Sequence, residues 1–412
     1  MRIQRLQLEN IGPFIEADLN FMNDDDTCSR VTLITGENGT GKSIILDAIR
    51  GMFGQHFAKI DRDIRRANYV DEAHLTMDIV ADDENLSIYS SEIRDSHILV
   101  SGFKFAGLPG EVRRGHEATN WILDYWPSTT PRDSYKVSAL TAPNHKDFLF
   151  GSLNGVNKRS RITELICHFD YLRDSHDPTE KAVGEKLYTL LEKIIASSLL
   201  DGGRLSHIAR TTMEPIIIQN EHAIGLNNLS SGNAYLIQNM VSLLGKMYSS
   251  HYLRQTPVDE IGQTPGLLLI DEAENQLHPK WQKRFLQSVL DVFPNLQIIA
   301  TTHSPFIISS MPNARLFVCK SKRDHCVVED VTSQYSNQPV DQILMSPLFE
   351  ATQPFNQKIT ELLEKRKQAI EAGDSEKRNY LENTLLAMNP EYFSYFSIDE
   401  LIASLQDGNR NE

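Results

Sequence analysis

A glycine-rich octapeptide is the feature that most constrains how this chain can fold. The pattern Gly-x-x-x-x-Gly-Lys-Ser occupies Gly36–Ser43. It follows the β-branched run Val31–Thr35 and precedes apolar residues that recur at helical spacing up to Phe53. A phosphate loop requires this order of strand, loop and helix, because its backbone N–H groups surround the anion at the N-terminus of the helix. The order therefore predicts an α/β domain built on a P-loop.

The residue types of this loop suit nucleotide binding. Glycines let successive N–H groups curve around phosphate oxygens without Cβ clashes. Lys42 is predicted to reach the β- and γ-phosphates of ATP, and Ser43 to offer its hydroxyl to Mg²⁺. The predicted nucleotide contacts in the loop are Asn38, Gly39, Thr40, Gly41, Lys42 and Ser43.

Two later apolar runs end in polar residues that fit the same site. Leu267–Ile270 leads into Asp271 and Glu272, and Leu296–Thr302 leads into His303. The carboxyl ends of parallel strands meet at one edge of a sheet, so these side chains are expected beside the phosphate loop. We predict that Asp271 holds Mg²⁺, that Glu272 polarises the attacking water, and that His303 contacts the γ-phosphate or that water. Without the loop, solvated acids and a surface histidine would explain them equally well.

A serine–glycine turn at Leu229–Gly232 opens another helical pattern. Alone it would be a helix N-cap. In the order phosphate loop, LSSG, IDE, TTHSP, however, the chain resembles the ATP-binding cassette (ABC) superfamily. In that superfamily the turn is the signature motif, which completes the nucleotide site of a second subunit. The resemblance implies a dimer that sandwiches ATP, with Ser230 and Gly232 acting in trans.

Four segments resemble the SMC-like branch of the superfamily, nearest to its OLD group. They are RIQRLQLENIGPFIEADLNF, GENGTGKSIILDAI, LLLIDEAENQLHPKWQ and QIIATTHSPFII, which lie within residues 1–53 and 229–310. The implied fold is an α/β ABC-type ATPase head with a helical insertion and a small all-helical C-terminal domain. We place the head at residues 1–330, with its insertion at about 155–228, and the C-terminal domain at 331–412.

The chain departs from the branch at two points. The signature continues with Asn233 and Ala234 where the family has Glu-Gln, which bears on the strength of the composite site. No Q-loop glutamine can be placed, and the segment 137–144 is the candidate for that position. The stretch between Ser43 and Leu229 shows no sustained heptads, so a long coiled-coil arm is not expected.

Residues 304–412 bear on whether this chain could itself be a nuclease. They contain no Asp-x-Asp pair of a Toprim domain and no HNH pattern, so nuclease activity is not expected in this chain. The tail from Gln334, with helix-forming residues over 357–388, resembles ATPase subunits of two-gene antiphage systems of the Septu (PtuA) type. That resemblance implies an oligomeric ATPase that controls a separate nuclease, with an HNH-type nuclease favoured.

Three other functions are compatible with these motifs to different degrees. A stand-alone RecF-like ATPase of DNA repair or recombination would carry the same elements. A scaffold that binds ATP but hardly hydrolyses it would fit the departure at Asn233 and Ala234. A transporter ATPase fits least, since Leu277–Pro279 replaces the loop usual in transporters and no membrane-coupling loop is evident.

The charge balance limits where nucleic acid could bind. The chain carries 41 basic and 55 acidic residues, a net charge of −14, which excludes a positive surface throughout. Residues 101–161 reverse the balance with nine basic and five acidic side chains. They are either a DNA- or partner-facing surface or a solvated loop region. Arg62, Arg65 and Arg66 could extend this surface, and Arg65 or Arg66 is also a candidate nucleotide contact.

Cysteine usage and hydropathy suggest a cytoplasmic protein. The four cysteines, Cys28, Cys167, Cys319 and Cys326, are too few for a disulfide scaffold. Cys319 and Cys326 lack the second ligand pair of a zinc site. No apolar run is long enough to span a membrane, and the N-terminus alternates instead of forming a signal-peptide core.

Overall fold

A computed structural model of the chain shows two compact units, Met1–Ile343 and Leu344–Glu412. The division lies C-terminal to the boundary predicted near residue 331, because residues just beyond it bond back to the first unit. The Leu316 N–H donates to the Thr332 hydroxyl at 3.0 Å. The structure describes residues 1–60, 62, 64, 72–94, 97–101, 105, 108–129, 133–137, 139–155, 158–199, 202–349 and 355–396.

The first unit contains two sheets. The larger sheet has the strand order β6-β5-β4-β1-β2-β14-β13-β3-β12-β11-β7, and the smaller one has the order β10-β9-β8. The strands are β1 (Arg2–Ile11), β2 (Phe14–Asn20), β3 (Val31–Gly36), β4 (His74–Ala81), β5 (Glu84–Arg94), β6 (His97–Val100), β7 (Ile122–Trp126), β8 (Arg204–Ala209), β9 (Glu214–Gln219), β10 (His222–Gly225), β11 (Gly266–Ile270), β12 (Leu296–Thr301), β13 (Arg315–Ser321) and β14 (Cys326–Asp330).

Helices flank the sheets and form the described part of the second unit. They are α1 (Lys42–Gly54), α2 (Leu108–Arg114), α3 (His145–Phe150), α4 (Arg159–Arg173), α5 (Pro178–Ser197), α6 (Ser231–Arg254), α7 (Pro279–Gln282), α8 (Phe285–Val292), α9 (Pro305–Ile308), α10 (Thr332–Tyr335), α11 (Val340–Leu344), α12 (Gln357–Glu371), α13 (Ser375–Met388) and α14 (Pro390–Phe393). Among the described residues, no helix combines the length and apolar character that crossing a bilayer requires.

Five neighbouring strands of the large sheet, β13, β3, β12, β11 and β7, run parallel. Every residue of β11 and of β12 is buried, which explains their continuous apolar runs. The carboxyl ends of these strands lie at one edge, and β3, β11 and β12 there lead into the phosphate loop, Asp271 and Thr302. The predicted α/β class is confirmed.

The N-terminal hairpin packs against the phosphate loop. In β1 the side chains of Leu6 and Leu8 are buried, whereas Arg5 is exposed, as the alternating sequence predicts. The hairpin turn at Gly12 is so close to α1 that a Cβ there would lie 2.7 Å from Cδ1 of Ile44. The hairpin therefore holds the start of α1, which carries the loop's lysine and serine.

The predicted helical insertion, about 155–228, contains strands as well as helices. The helices α4 and α5 pack closely, since a Cβ on Gly184 would lie 2.1 Å from the Arg173 nitrogen. The chain then forms the antiparallel sheet β8–β10. The β-branched run Ile216–Ile218 favours a strand at this place, although the sequence interpretation assigned the whole insertion to helices.

The sequence over Pro279–Phe293 favours one continuous helix, but the structure divides it into α7 and α8. Residues Lys283 and Arg284 separate the two helices. At the break, the Gln282 side chain turns back and donates to the Leu277 carbonyl at 2.8 Å. Oε1 of the same amide accepts from the Ser304 hydroxyl at 2.6 Å, so the break in the helical pattern coincides with a contact to a residue 22 positions away.

The second unit is a small helical cluster. Helices α12 and α13 pack together around Ile359, Leu385, Phe393 and Phe396. The C-terminal helices predicted from the sequence are thus present. The stretch Ile398–Leu405, whose sequence also favours a helix, lies outside the described residues.

A buried ion pair joins α6 to β7. The Lys246 ammonium contacts the Asp124 carboxylate, and the two side chains are 4% and 0% exposed. The other carboxylate oxygen accepts from Nε1 of Trp126 at 3.0 Å. Removing one member of such a pair leaves an uncompensated buried charge, which is far more costly than losing a surface pair.

Replacing Lys246 with methionine is therefore expected to lower the free energy of unfolding by about 3 to 5 kcal/mol. Chemical denaturation followed by tryptophan fluorescence measures this, because all three tryptophans lie in the first unit. Lys320→Met is the control, since its partner Glu329 and Lys320 itself are both exposed, and a change below about 1 kcal/mol is expected. Equal losses in the two variants would contradict the prediction.

Candidate functional site

Two glycines of the phosphate loop occupy positions that exclude a side chain. Gly36 has a φ of +135°, and a Cβ there would lie 2.1 Å from the Cys319 carbonyl oxygen. Gly41 has a φ of +95°, and its Cβ would lie 2.6 Å from Cγ of Pro13. The loop thus depends on glycine for its conformation and for close contact with the strands beneath it.

The Lys42 side chain folds across the loop. Its ammonium donates to the carbonyl oxygens of Gly36 at 3.0 Å and Glu37 at 2.6 Å. Burial lowers the pKa of Lys42, against the opposing effect of nearby acidic groups that include Glu274 and Asp271. Lys42 therefore lies along the phosphate loop and lines the cleft in which an anionic ligand would meet its ammonium.

Asp271 and Ser43 form a pair of oxygen donors suited to a magnesium ion. The Asp271 carboxylate is almost fully buried, and its Oδ1 accepts from the Ser43 hydroxyl at 2.8 Å. The Thr301 hydroxyl donates to the same oxygen at 2.7 Å. A carboxylate and a hydroxyl at this distance, beside a phosphate loop, are the hard oxygen ligands that Mg²⁺ prefers. The residues present therefore fit the metal.

Glu272 projects into the cleft from a strained position after β11. Its φ is +53°, and its N–H donates to the Thr301 hydroxyl at 2.8 Å. Burial and the charges of Asp271 and Glu274 raise the pKa of Glu272. A carboxylate with a raised pKa, facing a cleft, is suited to take a proton from water.

His303 reaches the same cleft from the end of β12. Its backbone N–H donates to Oε1 of Glu274 at 2.7 Å. Burial and then the charge of Lys42 lower the pKa of His303. The imidazole is therefore neutral at pH 7, with one ring nitrogen that donates and one that accepts.

These groups line one cleft of about 220 Å³. Of the predicted site residues, Thr40 lies behind the cleft, where its hydroxyl donates to the Glu37 carbonyl at 2.8 Å. Asp271 contacts the cleft through Ser43. The lining residues are Asn38, Gly39, Gly41, Lys42, Ser43, Ile44, Arg62, Glu272, Thr301 and His303.

The signature residues lie outside this cleft, with Ser230 exposed and Gly232 buried. Ser230 caps α6, its hydroxyl oxygen accepting from the Asn233 N–H at 3.3 Å. A Cβ on Gly232 would lie 2.9 Å from the Gln276 carbonyl oxygen, so the turn is pressed against the segment that follows Glu272. Ser230 and Gly232 do not line the cleft of their own chain.

Arg62 lines the cleft and pairs with Asp271, and the sequence did not predict either contact. Its guanidinium bonds to Oδ2 of Asp271 at 3.2 Å and to Oδ2 of Asp47 at 2.9 Å. The sequence interpretation placed a nucleotide contact at Arg65 or Arg66, which lie outside the described residues. Asp47 was the sequence feature that could have indicated such an arginine, because an acid within the apolar face of a buried helix requires a cationic partner.

The known proteins that this chain resembles agree with the site. Residues 31–309 match the family model described as "AAA domain, putative AbiEii toxin, Type IV TA system". The chain belongs to this family. It is an ATPase, and its motif order is that of an SMC-like ABC ATPase of the PtuA type.

Individual relatives share this ATPase region. The Septu protein PtuA of Bacillus thuringiensis is 26% identical over 75% of this chain and 73% of its own length. The Retron Vc95 probable ATPase of Vibrio cholerae serotype O1 biovar El Tor is 24% identical over 56% of this chain, and the match spans only 44% of that protein. The SMC head domain from Thermotoga maritima aligns with 80% of this chain and 99% of its own, with a TM-score of 0.45 and 16% identity.

Arg62→Gln in the ATPase is expected to weaken nucleotide binding about 10-fold, because the charge-assisted hydrogen bond that we expect between the guanidinium and the nucleotide phosphates is lost. The fold should be retained, since Arg50 still pairs with Asp47. Titration with a fluorescent ATP analogue measures the affinity. Arg323→Gln, at an exposed position, is the control. An unchanged affinity in Arg62→Gln would show that this guanidinium makes no contact with nucleotide.

The sheet order of the ATPase also bears on the Q-loop. β7 is the edge strand that pairs with β11. The segments that follow these two strands are in contact, because the Ser128 carbonyl after β7 accepts from Nδ2 of Asn275 after β11 at 2.5 Å. Of the candidate segment 137–144, residue 138 lies outside the described residues, and the other members do not line the cleft. Its assignment as the Q-loop stays a prediction.

Part of the basic stretch 101–161 is engaged within the chain. Arg113 pairs with Asp147 at 3.4 Å. The guanidinium of Arg159 lies 5.1 Å from the ring centre of Tyr135. Lys104 and Arg132 lie outside the described residues. A DNA contact through this stretch of the ATPase stays a prediction.

Proposed function

We propose that this ATPase is a regulatory subunit that dimerises around ATP and controls a separate nuclease in bacterial antiphage defence. One observation carries the dimer. The cleft gathers Lys42, Glu272 and His303, whereas Ser230 and Gly232 lie elsewhere on the same chain. A second copy that offers its own signature turn would complete the site, as an isologous dimer does twice.

The residues of the cleft divide the chemistry of hydrolysis among them. Ser43 and Asp271 would hold Mg²⁺, which neutralises the charge of the β- and γ-phosphates when it is bound. Lys42 stabilises the phosphate charge. Glu272 orients and deprotonates the attacking water, and His303 contacts the γ-phosphate.

The link to defence and to a nuclease rests on the relatives. A Septu protein PtuA matches three quarters of this chain, and two retron ATPases match over half of it. We infer a cytoplasmic ATPase that works with a separate nuclease, with an HNH-type enzyme favoured. A DNA contact through residues 101–161 belongs to the same proposal.

A mixing experiment tests the composite site. Lys42→Ala removes the phosphate contact, and Ser230→Arg blocks the exposed signature turn, so each variant alone is expected to be inactive. In an equal mixture, half of the dimers are mixed, and each holds one intact site. The mixture should recover about a quarter of wild-type turnover if the two sites act independently. No recovery would overturn the proposed dimer.

A co-expression experiment tests the partner. The protein is co-expressed with a candidate HNH-type nuclease, and any complex that forms is assayed for DNA cleavage with and without ATP. We expect cleavage to require the nuclease and to change with ATP. Tight, ATP-stimulated DNA binding by the ATPase alone would instead favour a stand-alone recombination ATPase.

A further inference from the structure

The short segment that carries His303 is anchored through both oxygens of one carboxylate. We call Thr302–Ser304 the switch segment. Oε1 of Glu274 accepts the His303 N–H at 2.7 Å, and Oε2 accepts the Thr302 hydroxyl at 2.6 Å. Thr302 is fully buried. Glu274 follows the cleft residue Glu272 by two positions, yet it serves the neighbouring strand end rather than the cleft itself.

A second set of hydrogen bonds continues from the switch segment. The Ser304 hydroxyl donates to Oε1 of Gln282 at 2.6 Å. Nε2 of the same amide donates to the Leu277 carbonyl at 2.8 Å. Gln282 thus bonds the switch segment at one end of its amide and the residue before His278 at the other.

The chain of contacts ends at the signature turn. A Cβ built on Gly232 would lie 2.9 Å from the Gln276 carbonyl oxygen and 3.4 Å from Cδ2 of Leu277. The backbone at Gly232 therefore approaches Gln276 and Leu277 too closely to admit a side chain, and we expect a shift of either residue to displace the turn. The structure therefore connects the backbone of His303 to Gly232 through side chains that lie outside the cleft.

We propose that Glu274 and Gln282 are positioning residues that transmit the position of the switch segment to the signature turn. This inference rests on the proposed ATP-dependent dimer. When His303 binds a γ-phosphate in the cleft, the switch segment takes up a fixed position. Glu274 and Gln282 then fix the position of the turn at Gly232, which would contact a second copy. Nucleotide binding in cis is thereby coupled to the trans-acting turn of the same chain.

The coupling is physically adequate for this role. Each bond in the path is between 2.6 and 2.8 Å, and both acceptor oxygens of Glu274 are used. Allosteric coupling of ordinary strength changes an equilibrium by roughly 10-fold, which a few such bonds can supply. A residue that merely stabilised the loop would affect folding without altering the nucleotide dependence of dimerisation.

Three substitutions remove or keep individual hydrogen bonds of the path from the switch segment to the signature turn. Glu274→Ala removes both acceptors. Glu274→Gln keeps the link, because the amide oxygen accepts the His303 N–H and the amide nitrogen donates to the Thr302 hydroxyl oxygen. Gln282→Glu keeps the acceptor for Ser304 and loses the donor to Leu277. Because Gln282 is only half-buried, Gln282→Glu tests the proposal even if Glu274→Ala fails to fold.

The experiment uses the Glu272→Gln protein as parent, so that ATP is bound without being consumed. Sedimentation measures the protein concentration at which half of each variant is dimeric with ATP and Mg²⁺. A fluorescent ATP analogue measures nucleotide affinity at protein concentrations below dimerisation. We expect Glu274→Ala and Gln282→Glu to raise the half-dimer concentration about 10-fold while nucleotide affinity changes less than about 2-fold. Glu274→Gln should match the parent.

The outcomes distinguish this inference from the proposed dimer. If the parent itself does not dimerise with ATP, the proposed dimer fails, and the inference fails with it. If the parent dimerises and Glu274→Ala and Gln282→Glu dimerise equally well, the inference alone is overturned. If Glu274→Gln is as defective as Glu274→Ala, the carboxylate charge matters and the hydrogen-bonded link does not, which also overturns it.

Discussion

Replacing Lys42 with alanine is expected to weaken ATP binding about 100-fold. The ammonium is held against the loop by two backbone carbonyls, and Lys42 lines the cleft in which the phosphates would bind. Charge-assisted hydrogen bonds of this kind contribute about 1.5 to 3 kcal/mol each, and every 1.4 kcal/mol corresponds to a tenfold change in affinity. Calorimetric titration with ATP and Mg²⁺ measures the effect.

Lys322→Ala is the matched control for this change. Lys322 is an exposed lysine on the loop after β13 and does not line the cleft, so its removal should leave affinity within about 2-fold of wild type. Lys42 also bonds the loop internally, and a thermal melt without nucleotide will show whether the fold survives. A folded Lys42→Ala protein with unchanged ATP affinity would refute the assignment of this site.

Glu272→Gln is expected to lower turnover by about 100-fold or more, which is the range for loss of a general base. The amide preserves size and a hydrogen bond but cannot take a proton from water. ATP affinity should stay within a few-fold, because the phosphate contacts of Lys42 and Ser43 are intact. Phosphate release measures turnover, and the ATP-bound dimer should accumulate in sedimentation.

The pH dependence of turnover follows from the same residue. A base works only when deprotonated, so turnover should fall as the pH drops through the pKa of Glu272. That pKa is raised from an ordinary value of 4.5 by burial and by Asp271 and Glu274. The acid limb should therefore lie at higher pH than for an exposed glutamate, and Glu272→Gln should abolish it.

Glu260→Gln is the control, since Glu260 is an exposed acid on a 3₁₀ turn and does not line the cleft. It should leave both turnover and its pH profile unchanged. Wild-type turnover in Glu272→Gln would favour instead a protein that binds ATP structurally and uses another group, or none, for hydrolysis.

The site's strands and loops were predictable from the sequence because their signals are local. The phosphate loop carries its own glycines, and the buried runs before Asp271 and Thr302 place both at the carboxyl edge of a parallel sheet. Parallel strands force these ends together, so the contact between Ser43 and Asp271 follows from topology once each strand is identified.

The features that the sequence missed depend on long-range contacts. The contact between Arg62 and Asp271 joins residues 209 positions apart, and no periodicity encodes it. Nor could the pattern over Pro279–Phe293 show that the Gln282 amide, at the end of α7, would accept from the Ser304 hydroxyl 22 positions away. The role of the signature turn came from a family resemblance, because its residues alone describe an ordinary helix cap.

The burial of α6 has a consequence for measuring dynamics in this protein. The helix is about 36 Å long at 1.5 Å per residue, and Gly232–Ser250 is buried without interruption. Amide hydrogens in its middle are therefore expected to exchange with solvent only through the rarest openings of the first unit. Their exchange rates would then report the stability of that unit, and any nucleotide-dependent protection should be sought at the helix ends near Ser231 and Arg254.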